Sequence, residues 1–467
     1  MTSTVNYTYR YPFESAVLES EDKPAIRLAT SLDGTSDDTF FDGAVRHPAT
    51  FGNLLSVLST IVRTRFYERQ NLTLLDPVVT SGGGMLRFEG FSGCCGVYSR
   101  VDLHPDAFDV ELRGKGTTNV DFNDAMRTSL RRMRNQDDTR LQVGGEGLTL
   151  RRDGDTIVER RVRLPVRWIK GFCEVQAYQP RMTPHFELSA MEARDLFRGL
   201  PRGRNSQGTH HLTRTGRVLR LASRASAGSV RLEGAERVRV LEPLLPYLQK
   251  LVVWYDTASE TSGWELQFET GRIFSLVSPE LSRGFSGEGQ MLERLATGQW
   301  QAALPVVTDT LNWQSQIDSG ALGVKSGLGE AQIESALAVL GSRGLVGFDV
   351  TTSRYFHRVL PFDLDQLGSN QPRLKAARQL VADHGVRPAI GTSVVDSNAA
   401  SGGPSNWLVQ GTGVEHFVRL RPEGDRCTCQ WFNRYQGNRG PCKHILAARL
   451  LVDGENSQLI EEDEIHG

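Results

Sequence analysis

The residues of this chain whose types and spacing could do chemistry are three cysteines and one histidine near its C-terminal end. One residue separates Cys427 from Cys429, and after a gap of twelve residues one residue separates Cys442 from His444. Thiolates and imidazoles are ligands that suit tetrahedral zinc. Because a catalytic zinc keeps one position open for water, a site with four protein ligands is structural. The spacing therefore predicts one structural Zn²⁺ on these four residues; the alternative is a group of reduced, buried cysteines.

The elements that must position the four ligands follow from the local sequence. Residues i and i+2 of a strand point to one face, so a strand over residues 426–432 would let Cys427 and Cys429 reach one ion. The second pair cannot lie inside a helix, where residues two apart point roughly 200° apart. Gly440-Pro441 predicts a turn just before that pair, and the apolar run over residues 445–451 predicts a helix after it.

This arrangement, C-x-C-(x12)-C-x-H with Lys443 before the histidine and an apolar helix after it, resembles the SWIM zinc finger over residues 404–452. Residues 41–43, 116–123 and 283–289 also resemble stretches of bacterial SWIM zinc-finger proteins. The resemblance implies zinc binding together with recognition of nucleic acid or protein, and no catalysis by the finger. It further implies an adaptor role, with MoxR-type AAA+ ATPases and von Willebrand factor A (vWA) proteins as partners, because similar proteins look to be encoded beside them.

The composition is that of an ordinary soluble protein. The chain has 467 residues, 39% of them hydrophobic and 23% charged, which is too long for one compact core. No apolar run approaches the roughly 20 residues that span a bilayer, so no membrane partner is expected. The remaining cysteines, Cys94, Cys95 and Cys173, are interpreted as small buried residues, which favours a reducing, cytoplasmic location.

The pattern of apolar residues predicts a multidomain α+β fold. Helix, turn, helix and hairpin follow one another after residue 305, which is the order of a winged helix. The predicted domains begin with an α+β body over 1–295, which could divide into two subdomains near 202–210. A winged-helix-like domain over 305–365 and a helix with a flexible linker over 366–403 follow. The zinc finger over 404–452 and an acidic tail over 453–467 complete the prediction.

The winged-helix-like segment does not carry the residues expected for base readout. Its second helix bears Glu330 and Glu334, and carboxylates repel phosphates. The hairpin after it is better supplied with cations, in Arg354, His357 and Arg358. Protein docking or contact led by this hairpin is therefore expected at least as much as base readout by the helix.

The net charge of −1 does not favour bulk binding of nucleic acid, but cations gather in two places. Arg434, Arg439 and Lys443 lie between or beside the zinc ligands and are candidate phosphate contacts. A helix predicted over residues 124–134 carries the second group, Arg127, Arg131 and Arg134, spaced to form one stripe. A solvated helix face would have the same pattern.

No catalytic constellation is recognisable. The chain has no His-Glu-x-x-His motif and no Gly-x-Ser-x-Gly motif between a strand and a helix. We therefore expect neither enzyme activity nor a small-molecule substrate. Two classes of function remain: an adaptor in a protein assembly, favoured by the neutral overall charge, and a DNA- or RNA-binding protein that acts through the basic finger.

Overall fold

The computed structural model of the chain describes residues 16–18, 25–27, 39–66, 77–110, 114–162, 164–216, 218–281, 284–285, 300–360, 372–389, 405–421, 424–437 and 439–452. It combines helices with antiparallel sheets, which confirms the predicted α+β class. Residues 1–39 and residues 40–467 form two separate units. In the first unit, β1 (Ala16–Leu18) pairs with β2 (Ala25–Arg27) in antiparallel fashion.

An eight-stranded antiparallel sheet organises the chain up to residue 277. The strands of this part are β3 (Thr39–Ala44), β4 (Val78–Gly82), β5 (Met85–Phe91), β6 (Val97–Leu103), β7 (Gly116–Asn119), β8 (Thr139–Gly144), β9 (Gly147–Arg152), β10 (Asp155–Arg160), β11 (Thr183–Ser189), β12 (Thr209–Thr215), β13 (Val218–Ala222), β14 (Val230–Glu233), β15 (Lys250–Asp256), β16 (Thr261–Phe268) and β17 (Gly271–Val277). The order in the large sheet is β11-β15-β16-β17-β6-β5-β4-β7. Smaller sheets have the orders β10-β9-β8-β3 and β13-β12-β14.

Helices cover the large sheet. Those of the same part of the chain are α1 (Pro48–Arg63), α2 (Asp124–Arg132), α3 (Val166–Tyr178), α4 (Ala190–Gly199) and α5 (Glu236–Arg239). Helix α1 packs against β5 and β6, and α3 packs against β5. Both faces of the central strands are buried. Among the described helices, none has the length and apolar character needed to cross a membrane.

Local capping signals begin two of these helices. The side chain of Asn123 accepts a hydrogen bond of 2.9 Å from the backbone N–H of Met126 at the start of α2. Ser189 and Glu192 form a reciprocal capping box at the start of α4. The cysteines outside the zinc motif, Cys94, Cys95 and Cys173, are buried and free, as predicted.

Charged side chains fill one buried face of the large sheet. Arg87, Asp102 and Arg272 are direct cross-strand neighbours on β5, β6 and β17, and the adjacent rung places Glu89 beside Arg100. The network comprises four arginines and four carboxylates and is therefore neutral: Arg87, Arg100, Arg272 and Arg358 with Glu89, Asp102, Glu265 and Asp349. Since these charges lie away from water, each depends on its partners.

The segment after residue 300 contains α6 (Ala303–Thr310), α7 (Ser319–Ser326), α8 (Glu330–Ser342) and a hairpin of β18 (Val346–Asp349) and β19 (Arg354–His357). The pattern of residues after 305 predicts a first helix near residues 310–322, and this prediction is wrong. Helix α6 ends at Thr310 because Leu311 is extended, with ψ of 117°. Trp313 then adopts a left-handed conformation with φ of 58°. Asp318 then caps α7 by accepting a hydrogen bond of 3.0 Å from Ala321 N. The order of helices and hairpin agrees with the predicted one, and the winged-helix assignment itself stays a prediction.

The sequence suggests that the cations of the hairpin face solvent, but two of the three are buried. The guanidinium of Arg358 is fully buried and pairs with Glu89 of the large sheet. His357 is also buried, and its Nδ1 accepts a hydrogen bond of 2.7 Å from Trp313 N. Of the three, Arg354 alone remains partly exposed, paired with Asp318 at 3.3 Å. Contact with a ligand through His357 or Arg358 is therefore excluded, and one hydrophobic core continues from the large sheet into this segment.

A second hydrophobic core belongs to the C-terminal part of the chain. Its elements are α9 (Pro372–Ala382), β20 (Val386–Pro388), β21 (Ser405–Gln410), β22 (Glu415–Leu420), β23 (Arg426–Cys427), α10 (Gln430–Tyr435) and the helix α11 over residues 443–452. The strands form a sheet in the order β20-β21-β22-β23. Leu374 of α9 and Val386 of β20 lie in this core together with residues of the predicted finger, whose boundary at residue 404 stays a prediction. The predicted flexible linker over 396–404 and the acidic tail over 453–467 lie outside the described residues.

Candidate metal centre

The structure brings together the four residues that the spacing selects. One ligand atom from each lies within 4.8 Å of all the others, and all four residues are buried: Cys427, Cys429, Cys442 and His444. Nδ1 of His444 is 3.9 Å from the Sγ atoms of Cys427 and Cys442. Around a tetrahedral zinc, with Zn–S of about 2.3 Å and Zn–N of about 2.1 Å, the ligand atoms are about 3.6–3.8 Å apart. The cluster fits one structural zinc ion.

The sequence predicts that one strand carries both ligands of the first pair, but the structure shows two different elements. Cys427 ends β23, whereas Cys429 is the N-cap of α10, and its Sγ accepts a hydrogen bond of 3.4 Å from Phe432 N. The Sγ of Cys427 accepts another from Cys429 N, also at 3.4 Å. Hydrogen bonds from the thiols of Cys427 and Cys442 lower the pKa of the Cys429 thiol. These hydrogen bonds, with a smaller contribution from Phe432 N at the start of α10, favour the thiolate of Cys429, the form that binds zinc.

The second ligand pair lies across the start of α11. Gly440 has a φ of 72°, which glycine adopts readily, and this turn delivers Cys442 just before the helix and His444 into its first turn. The buried face of α11, which includes Leu446 and Ala447, packs into the second core. The turn followed by an apolar helix agrees with the prediction.

Arg373 of α9 holds the loop between the two ligand pairs. Its Nη1 donates hydrogen bonds of 2.9 Å to the carbonyl oxygens of Arg439 and Pro441. Its guanidinium also lies 4.9 Å from the ring centroid of Trp431, within range of a cation–π contact. Arg373 could not be recognised from the sequence, because nothing in its local pattern points to a loop more than 60 positions away.

Aromatic and basic side chains alternate on α10 and the loop after it. The rings of Trp431 and Tyr435 lie 4.5 Å apart, centroid to centroid. The guanidinium of Arg439 lies 4.1 Å from the Tyr435 ring, and that of Arg434 lies 5.4 Å from it. Aromatic residues at i and i+4 with interleaved arginines are a signal that could have been read from the sequence.

The candidate phosphate contacts near the zinc ligands are not neutralised by the acids of the module. Glu415 pairs with Arg387 at 2.8 Å, and Asp425 pairs with Arg449 at 2.5 Å. Within the described ranges, no carboxylate forms an ion pair with the three predicted cations, Arg434, Arg439 and Lys443. Arg434 is exposed, and the other two are partly exposed. The zinc-held loop therefore presents a local positive surface.

A cleft of about 860 Å³ lies directly beside the zinc ligands. Ring surface from Trp431, His416 and His444 lines it, and the rings of the two histidines are 4.4 Å apart. Burial, and then the neighbouring His444, lower the pKa of His416. Four cations also line the cleft: Arg373, Arg439, Lys443 and, from α3, Lys170. The cleft thus joins apolar ring surface to positive charge.

The second predicted basic group does not form one helical stripe. Helix α2 ends at Arg132, so Arg134 lies beyond it, where its backbone N–H bonds to Asp137 at 2.9 Å. Arg127 is partly buried and pairs with Asp124 at 3.0 Å, while Arg131 is exposed. The helix stops because Met133 has extended backbone angles, with ψ of 135°. The three candidates therefore differ in position. Arg127 is paired on α2, Arg131 is exposed on α2, and Arg134 lies in the loop after it.

Residues 415–450 match the family described as the SWIM zinc finger. This match, together with the Cys/His cluster, defines a SWIM zinc finger within the chain. The comparison with curated proteins returns no match.

Two solved structures are similar over about half of the chain. The PCNA2–PCNA3 complex from Sulfolobus tokodaii has 10% sequence identity and a TM-score of 0.37, covering 51% of this chain and 99% of its own. Proliferating cellular nuclear antigen from Entamoeba histolytica has 11% identity and a TM-score of 0.33, covering 52% and 99%. At these scores neither likeness defines the fold of this chain.

Proposed function

We propose that this chain is a non-enzymatic nucleic-acid-binding protein whose SWIM zinc finger presents a basic loop to phosphates. The observation that carries the proposal is the difference in pairing within the finger. The acids Glu415 and Asp425 are neutralised by neighbouring arginines, whereas Arg434, Arg439 and Lys443 have no carboxylate partner in the described part of the chain. Cations without carboxylate partners on a zinc-held loop suit phosphate oxygens, since each phosphate contact releases condensed counterions.

The segment over residues 303–357 is assigned a supporting role rather than a DNA-reading role. The C-terminal half of α8 is buried, and its exposed residues include Glu330 and Glu334. The cations His357 and Arg358 are occupied inside the protein. Even if this segment folds as a winged helix, these residues cannot reach a duplex, so the proposal assigns nucleic-acid contact to the finger.

The adaptor role is the second candidate, favoured by the net charge of −1. A chain without an overall positive field is not drawn to nucleic acid over long range. The MoxR-type AAA+ ATPase and vWA partners, and the cytoplasmic location, stay predictions that the resemblance and the reduced cysteines imply. An adaptor would bind nucleic acid weakly and without dependence on the finger's open cations.

The proposal is tested by the salt dependence of binding. Affinity of the full chain for a DNA or RNA oligonucleotide should fall with salt, with a log–log slope of roughly −0.7 to −0.9 per phosphate contact. Replacing Arg434, Arg439 and Lys443 together by Ala should flatten that slope by about two to three units without loss of zinc.

The matched control removes three arginines at exposed positions elsewhere in the same module: Arg378→Ala, Arg419→Ala and Arg426→Ala. Arg419 and Arg426 are register partners, adjacent to the buried pair Val418 and Cys427, so they lie on the sheet face away from the metal ligands. This control should keep the slope of the parent. Equal slopes and affinities for the parent and the first triple variant would overturn the proposal.

A further inference from the structure

We infer that the cleft beside the zinc ligands receives an unpaired base, so that the ligand of the finger is single-stranded nucleic acid. This inference rests on the proposed function and adds the class of ligand to it. The phosphate-binding loop and the cleft share Arg439 and Lys443, so a strand bound on the loop passes the mouth of the cleft.

The charges that line the cleft select an anionic ligand. Lys170, Arg373, Arg439 and Lys443 contribute to the lining, and no carboxylate does among the residues that the structure describes there. The two sulfurs that also line it, from Cys429 and Cys442, are engaged at the metal site. A polyanion is therefore attracted to the mouth, whereas an unmodified cationic or neutral peptide finds no complementary charge.

The remaining lining requires that the ligand also carry a flat apolar group. Trp431 and His416 contribute ring surface, and Val414 is an exposed apolar side chain at the edge. Bases stack on aromatic side chains with little dependence on sequence, because every base has a π-face. A volume of about 860 Å³ is within the range of small-ligand sites and suits one or two nucleotides.

A duplex cannot use this site, because its bases remain stacked between the strands. Lys170 of α3 and residues of the zinc loop both line the cleft, and a base that enters it must first leave the stack. Duplex DNA would still contact the open cations of the loop. Preference for single strands therefore measures the contribution of the cleft alone.

The test compares two ligands of equal charge on the full, zinc-loaded chain by fluorescence anisotropy. A twelve-nucleotide poly-dT should bind at least tenfold more tightly than a blunt hairpin duplex with the same number of phosphates. Replacing bases of the poly-dT by abasic sites keeps every phosphate and should weaken binding by about 5- to 150-fold, the range for loss of one stacked base, with the salt slope unchanged.

On the protein side, Trp431→Phe keeps an aromatic ring and should reduce only the single-strand preference, whereas Arg419→Ala should leave that preference intact. Equal binding of single strand, abasic strand and duplex would overturn this inference while leaving the proposed function standing. No binding to any of the three would overturn both. Displacement of poly-dT by a phosphopeptide of equal charge would assign the cleft to phosphoprotein and overturn the inference.

Discussion

Arg373 donates a hydrogen bond of 2.9 Å to the carbonyl oxygen of Pro441, the residue immediately before the zinc ligand Cys442. The same guanidinium group bonds to the carbonyl oxygen of Arg439 and packs over Trp431. Helix α9 lies outside the residues that match the family model, yet its Arg373 fixes the loop that delivers the second ligand pair. We therefore expect zinc binding by the finger to depend on α9.

Substituting Arg373 by Lys should weaken the binding of zinc without removing a charge. Lysine is a point charge on a flexible stem and cannot reproduce the planar contact that bridges two carbonyls. We expect the affinity for zinc to fall by roughly 10- to 100-fold, the range for loss of an outer-shell partner. Competition with a chromogenic chelator measures this. The control is Arg378→Lys at an exposed position of the same helix, and equal zinc affinity in both variants would contradict the assigned role.

Cys442→Ser should abolish stoichiometric zinc. Removing one of three thiolates leaves an incomplete ligand set, and the coordination energy of the site contributes to folding of the module. Elemental analysis should find about one zinc per parent chain and well below half of that in the variant. The matched control is Cys173→Ser, because Cys173 is buried in the body, where its thiol donates to the carbonyl of Ser342 at 2.9 Å. Loss of zinc in the control as well would mean that the metal is held elsewhere.

Asp349→Asn should destabilise the body strongly. Its carboxylate pairs with Arg100 at 2.9 Å and with Arg272, and all three groups are buried. Removing one charge leaves the guanidiniums under-compensated, so the free energy of unfolding should fall by about 3–5 kcal/mol. Asp318→Asn is the control: its pair with Arg354 is exposed, its capping role is retained, and the expected loss is about 0–1 kcal/mol. Urea unfolding followed by tryptophan fluorescence distinguishes the two, and equal losses would argue against a coupled network.

The same network predicts how that difference changes with pH. Burial alone would raise the pKa of Asp102 and Asp349, but the attraction of Arg100 and Arg272 outweighs it and holds both pKa values below the ordinary range. The unfolded carboxyls take up protons near pH 3.9, so the stabilisation is complete above about pH 5 and is lost as the pH falls further. The gap between the parent and Asp349→Asn should therefore narrow from pH 5 to pH 3. A gap that stays constant would show that Asp349 titrates normally.

Glu159→Gln should stabilise the protein at alkaline pH. Burial raises the pKa of Glu159 to about 7, and its Oε1 accepts a hydrogen bond of 3.0 Å from Asn123 N. Between the unfolded pKa of about 4.3 and this value, the native state holds a proton that the unfolded state has released, so stability falls as the pH rises through that window. Glutamine keeps the acceptor and removes the charge.

Thermal melting at pH 5 and pH 8 should show a larger advantage for Glu159→Gln at the higher pH. The exposed Glu146, in the turn between β8 and β9 of the same sheet, gives the control Glu146→Gln. Parallel pH profiles for the parent and Glu159→Gln would refute the prediction.

The metal ligands could be predicted because coordination chemistry restricts residue type and spacing so tightly. What the spacing could not predict is the backbone that presents them, since C-x-C suits a strand as well as a helix cap. Cys429 uses the cap. Local signals such as the Asn123 cap are equally readable, because the donor and acceptor lie within one turn of each other.

Contacts between segments that are distant in the chain could not be predicted from the sequence. Helix α3 shows no apolar stripe, because polar residues such as Glu174 and Gln176 are buried along with Trp168 and Phe172. The charge of Arg358 suggests a surface, yet its partner Glu89 is 269 positions away. A cation on a hairpin looks the same in sequence whether it meets solvent or a buried carboxylate.

The buried charge network also bears on folding during synthesis. Strands β5, β6 and β17 leave the ribosome with Arg87, Asp102 and Arg272, but Asp349 and Arg358 are synthesised only later. Until these two residues emerge, the charges of the nascent sheet lack part of their partners. We therefore expect the body to complete its folding only after residue 358 has been translated, and we expect a fragment that ends at residue 300 to be prone to aggregation.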